Sequence, residues 1–235
     1  MTLWLHVRAP FAAFRWMQAG VFRGTLPIIP PSAAWGLVLN LAGVDTRADP
    51  APSSREVTTQ IRPDAPALRI ACGARGEPQR GLLYQQLHSY PVGSSGKELA
   101  ARTHGAKYWI APVRREVLLD LDVVLGVEAD DPSLLARVAR GLRGELPDQR
   151  YGLPFAGDNN FLIDRIDVLP APIPARWYAP VRDTDTEPAP GSCRVTVGID
   201  RADSGRTTSR LVAPTVESTH PPDAAWIWVP RAPVQ

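Results

Sequence analysis

The chain has 235 residues, 44% hydrophobic and 21% charged, the ordinary make-up of a soluble globular protein with room for a sizeable core. Two distant cysteines without C-x-x-C spacing, no run near ~18 apolar residues and a start, MTLWLHVRAPF, unlike a signal peptide argue against a zinc or disulfide framework, a membrane span and secretion, and for a reduced cytoplasm. Net charge is only +2, but residues 1–115 hold 14 Lys and Arg against 6 Asp and Glu, and the remainder 12 against 18, which allows a basic face toward a polyanion.

Leu3, Leu5 and Val7 alternate with Trp4, His6 and Arg8, the period of a strand. Pro10 and the aromatic run Phe11–Arg15 are expected to end it, and a loop with Pro27, Pro30 and Pro31 follows. Ser32 is placed to cap a helix through Trp35–Ala42, with Gly43 just beyond its end. The stretch 8–43 carries Arg8, Arg15 and Arg23 and no acid. Arg23-Gly24-Thr25 offers a charge, a bare backbone and a hydroxyl, and Ser32 with the following amides offers a helix N-terminus; simple capping explains Ser32 equally well, and Trp35 reads as a packing residue. Residues 45–66 read as a surface loop.

Leu68–Cys72 is a short strand. Gly81–Tyr90 and Ala106–Val113 read as the extended arms of a long hairpin joined by the polar PVGSSGKELAARTHG, and Glu116–Val127 as a separate alternating strand. Asp131-Pro-Ser opens a helix bearing Leu134, Leu135, Val138 and Leu142. Gly152–Asn160 is a glycine loop in which Gly152 and Gly157 permit close approach of backbone to a ligand, and Phe161–Leu169 is a further strand. The order β-α-β-(hairpin)-β-α-β is that of an α+β, ferredoxin-like βαββαβ domain. Two helices would cover one face of its sheet and leave the other free for RNA. The domain is assigned to residues 1–170, with the hairpin at about 81–113. Residues 171–235, rich in proline, are expected to form a β-rich extension with strands at Cys193–Ile199, Thr208–Val212 and Trp226–Val229.

The hairpin carries the strongest binding signal. Lys97, Arg102, Lys107, Arg114 and Arg115 face only Glu98 as an opposing charge, Tyr108 and Trp109 interleave, and His104 sits near the tip. Cations pair with phosphates and rings stack on splayed bases. A solvated charge run and a core Trp109 are the plainer alternatives. The acids of 116–131 read as the wet face of a strand. No dinucleotide fingerprint, P-loop, zinc spacing or Ser/His/Asp signature appears, so neither cofactor nor metal is expected.

Three segments together resemble the Cas-five family of the RAMP superfamily of CRISPR-associated proteins: FRGTLPIIPPSAAWGLVLNLAG (22–43), QLHSYPVGSSGKELAARTHGAKYWIAPVRRE (86–116), similar to the branch first met in a Myxococcus developmental locus, and YGLPFAGDNNFLIDRI (151–166). The resemblance implies a non-catalytic subunit of a type I interference (Cascade) complex that caps the 5′ handle of crRNA. It further implies contacts to the backbone and large subunits and to target DNA near the start of the guide–target duplex. Handle contacts would come from Arg15, Arg23, Thr25 and Ser32. Thumb contacts would come from Lys97, Arg102, His104, Lys107 and Tyr108, with Arg114 and Gly157 completing the RNA site. The alternative within the family is a metal-independent endoribonuclease, for which Tyr84, His88, His104, Lys107 and Tyr108 are the candidates; the adjacent lysine–histidine pair of that branch is absent. A purely protein-binding scaffold is the third reading.

Overall fold

A computed structural model of the chain describes residues 1–19, 21–48, 60–89, 109–147, 150–182, 189–201 and 206–231. The described residues form a sheet-rich mixed α/β fold. Its strands are β1 (Leu3–Ala12), β2 (Arg15–Ala19), β3 (Phe22–Thr25), β4 (Leu68–Ala74), β5 (Gln79–Ser89), β6 (Trp109–Ala129), β7 (Arg165–Leu169), β8 (Ala175–Pro180), β9 (Cys193–Gly198), β10 (Thr208–Ser218) and β11 (Ile227–Val229). All belong to one hydrogen-bonded sheet. Two helices, α1 (Pro31–Leu41) and α2 (Pro132–Leu142), accompany them. Neither helix is long and apolar enough to cross a membrane.

β6 is the spine. Leu118 pairs with Ala12 of β1 on one edge and with Arg80 of β5 on the other. Further along, Val123–Val127 pair with β1 on the first edge and with β4 on the second. β7 adds to the far side of β1. The central order is therefore β7-β1-β6-β4, all antiparallel, and α1 and α2 each lie in a crossover that skips one strand. The expected strand 106–113, described from Trp109 on, and the expected strand 116–127 are one strand. The hairpin's second arm continues into the core because Val113, Val117 and Leu118 are already buried and leave no turn residue between them. Asp120, between the stretch paired with β5 and the stretch paired with β4, has a φ of 53° that a short polar side chain tolerates.

Other boundaries also moved. β1 runs through Pro10 to Ala12, and β2 and β3 fill what the sequence suggested was loop. α1 begins at Pro31 with Pro30 in the N-cap position and no side-chain cap, so Ser32 is inside the first turn rather than capping it. Proline's fixed φ suits the first helical residue, and this pulls the start forward. α2 is capped as expected: Asp131 accepts from the Ser133 amide at 2.9 Å. Trp35 is buried and its indole donates to the Pro66 carbonyl at 2.8 Å, a packing role. Residues 161–164 belong to the glycine loop, and β7 starts only at Arg165. The described ends of the 45–66 loop meet at the Arg47–Ile61 bridge.

The face of β1 bearing Leu3, Leu5 and Val7 packs with Val123, Leu125 and Val127 and with Leu134, Leu135, Val138 and the buried side of α1 in the main core. The opposite face is not left free. Trp4, Val124 and Ala71 form a second apolar cluster with Trp177 and Trp226 from the C-terminal segment. Trp4 meets Trp177 and Trp226 edge-on at 6.0 and 5.9 Å. Small residues make the room. A Cβ on Gly126 would lie 2.6 Å from the Trp4 ring and 2.7 Å from Trp226, and one on Gly73 2.8 Å from Trp177. β8 and β11 both hydrogen-bond to β4, so the described residues after Pro170 extend the sheet as well as covering this face.

Candidate nucleic-acid interface

Beyond Leu119 the character of the sheet changes. β3 replaces β1 beside β6, pairing Phe22 with Arg114 and Arg23 with Arg115 in parallel. β2 folds back on β3, with Arg15 opposite Thr25. On the other edge β5 pairs with β6 from Gln79–Leu119 to Ser89–Trp109. Neighbouring residues of a strand point to opposite faces. The Arg114-Arg115 doublet therefore sends one guanidinium to each side.

The glycine loop closes the inner side. The Ala13 amide donates to the Ala156 carbonyl at 3.0 Å, and Gly157 follows with φ +82°. Any Cβ there would collide with the Ala13 carbonyl oxygen and lie 2.6 Å from the Phe14 ring. The close approach that Gly157 permits is first an approach to its own chain. Asp158 then accepts from the Asn160 amide at 2.9 Å and forms an ion pair with Arg115 at 2.5 Å. The loop is thereby tied to β1 at Ala13 and to β6 at Arg115.

Between these elements lies a pocket of about 200 Å³ lined by Arg15, Arg23, Gly24, Arg115, Glu116 and Gly157, with Ala13 beneath. Glu116, expected on a wet strand face, is drawn in. One oxygen accepts from the Thr25 amide at 2.9 Å and the other from Arg80 at 3.0 Å. Asp158 and Glu116 are thus engaged with Arg115 and Arg80, and among the described residues no carboxylate pairs with Arg15 or Arg23. The Nε atoms of Arg23 and Arg115 are buried without a hydrogen-bond partner. Buried donors are normally satisfied, so these two are donors that the chain itself leaves unmet beside the pocket. Around the pocket the cations outnumber the free anions among the described residues.

Of the residues the sequence singled out, the structure brings Arg15, Arg23 and Gly157 to this pocket and Arg114 to its other side. Thr25 is close but turned inward at 1% exposure. Its hydroxyl accepts from the Phe14 amide at 2.8 Å and donates to the Leu26 carbonyl, so it holds β3 to the start of the core rather than facing solvent. Ser32 does not line the pocket. Lys97, Arg102, His104, Lys107 and Tyr108 lie outside the described residues, and Trp109 is described as backbone alone. Glu116, Asp158 and Arg80 were not anticipated. An acid three residues into a basic run, and an Asp inside a glycine loop, are the signals that mark them.

The chain thus joins a sheet-rich α/β fold to a cationic pocket at the meeting of three chain segments. The CRISPR-associated protein family Cas_Cas5 matches residues 2–144, and the chain belongs to that family. The glycine loop lies just beyond the matched residues. No curated protein matches the chain. Its fold is similar to a chain of a CRISPR RNA-guided surveillance complex, with a TM-score of 0.54 at 16% identity over 96% of both chains. A Cas protein crystal structure is similar at a TM-score of 0.49 and 15% identity, covering 91% of this chain and 93% of the other.

Proposed function

We propose that the protein is a non-catalytic subunit of a type I CRISPR interference (Cascade) complex and grips the 5′ handle of crRNA. It would contact the backbone and large subunits and the target DNA near the start of the guide–target duplex. The observation that carries this reading is the convergence of Arg15, Arg23 and Arg115, from three separate strands, on one pocket in which two guanidinium Nε donors have no partner. The two split crossovers support a ferredoxin-like core. In this reading β5 and the first half of β6 serve as the arms of a thumb, and Lys97, Arg102, His104, Lys107 and Tyr108, in the sequence between them, contact the RNA.

The pocket's chemistry favours binding over cleavage. Arginine stays protonated and cannot act as a general base. Glu116, the one carboxylate lining the pocket, is held by Arg80 and the Thr25 amide. Holding a phosphate requires only the donors that are present. Arg23→Ala is expected to lower crRNA retention by the purified complex and to reduce the slope of log affinity against log salt by about 0.7, one phosphate contact on a single strand. Equal retention and an equal slope would refute the pocket as the handle site. Site-specific cutting of cognate repeat RNA in EDTA, lost in His104→Ala, would replace this reading with the endoribonuclease.

A further inference from the structure

We infer that Phe22, Arg114 and Tyr84 form a stacking platform for unpaired bases of a single-stranded nucleic acid, on the face of the sheet opposite the phosphate pocket. Arg114 is paired with Phe22 of β3 on one edge and with Tyr84 of β5 on the other. Directly opposed residues share a face, and neighbouring strands lie about 4.8 Å apart. The three side chains therefore form one row, ring–guanidinium–ring, across three strands. Phe22 is 37% and Tyr84 71% exposed, and Arg114 is exposed.

Gly24 extends the row toward β2 and presents its backbone to the pocket on the other face. That residue lines the pocket, and its Cβ position lies 3.3 Å from the Trp16 ring and 3.5 Å from the Phe22 ring. Trp16 is itself 51% exposed. Because the row lies on the face opposite Arg23 and Arg115, a strand whose phosphate sits against those two reaches it around the β2 edge, past Trp16 and Phe22 to Arg114 and Tyr84. Single exposed aromatics need no explanation, but an aligned row around a cation does.

The cation decides the class of partner. Among the described residues no carboxylate pairs with Arg114, since Glu116 and Asp158 go to Arg80 and Arg115. An apolar protein surface docked here would bury that charge unpaired, a costly arrangement. A nucleic acid brings base faces for the rings and a phosphate for the guanidinium at once.

The platform rests on the RNA-binding reading above, and one titration separates the two. Short oligouridine, as RNA and as its oligothymidine counterpart, is titrated into the full-length protein across a salt series. Tyr84→Ala should weaken binding by about tenfold, Tyr84→Trp should restore it, and neither should change the salt slope. Arg114→Ala should instead reduce the slope by about 0.7. A wild type that binds neither oligonucleotide overturns the RNA-binding reading and the platform together. A wild type that binds, with Tyr84→Ala binding as tightly, overturns the platform alone. Unchanged oligonucleotide binding with loss of copurifying partner subunits in Tyr84→Ala assigns the row to a protein contact instead.

Discussion

The two halves of β6 are one strand built for two purposes. From Val123 to Val127 it is buried on both faces: Val123, Leu125 and Val127 enter the main core, and Val124 and Gly126 meet the tryptophan cluster. From Trp109 to Leu119 it carries Arg114, Arg115 and Glu116 between β3 and β5. The contrast shows how a sheet can hold several uncompensated cations. Apolar burial in the upper half supplies the stability, and the lower half is left free to keep donors unpaired.

If the division is real, damage to the upper half should cost stability and leave binding character alone. Trp177 is fully buried, meets Trp4 edge-on at 6.0 Å and donates its indole proton to the Ser218 carbonyl at 2.9 Å. Trp177→Ala is expected to destabilise by about 3–5 kcal/mol, read as a lower urea midpoint. The salt slope of RNA binding by the folded protein should stay as in the wild type. A changed slope would mean that the halves are coupled.

A smaller effect is expected at their junction. Gly157 occupies φ +82° against the Ala13 backbone. Gly157→Ala adds the left-handed penalty of about 1–2 kcal/mol to overpacking of about 1–3 kcal/mol. The loop can retreat only by breaking the Ala156–Ala13 hydrogen bond, which moves Asp158 and the wall of the pocket. Stability and RNA retention should therefore fall together, unlike in Trp177→Ala. Retention untouched in a destabilised variant would detach the glycine loop from the site.

The sequence showed the upper half well and the lower half poorly, for a physical reason. Alternation in Leu3–Arg8 and in Val117–Val127 is imposed by burial and is legible residue by residue. β2 and β3 bury little, so Arg15–Thr25 read as loop. Arg15, Arg23 and Gly157, to which the family resemblance drew attention, are neighbours in the fold, and Thr25 beside them ties two backbone segments with its hydroxyl, an engagement that sequence cannot distinguish from one offered to a ligand. The tryptophan cluster was illegible: Gly73, Gly126 and Trp177 are more than fifty residues apart, and nothing local says that a glycine's missing side chain is the space another residue fills.

The most delicate test lies in the pocket wall. Asp158 performs two tasks with two oxygens: one accepts from the Asn160 backbone and side-chain amides, the other holds Arg115. Asn in its place keeps the turn and loses the charge. With side chains 17% and 14% exposed, the pair stands between a surface ion pair and a buried one, so Asp158→Asn is expected to destabilise by about 1 kcal/mol. The same change removes an anion beside the pocket and releases a guanidinium to it. RNA binding at low salt should tighten and its salt slope steepen by up to about 0.7. Stability and affinity then move in opposite directions, the outcome required if the lower half of β6 gives up stability to keep its cations available. Affinity that falls in step with stability would show that Asp158 supports the wall and that no phosphate reaches Arg115.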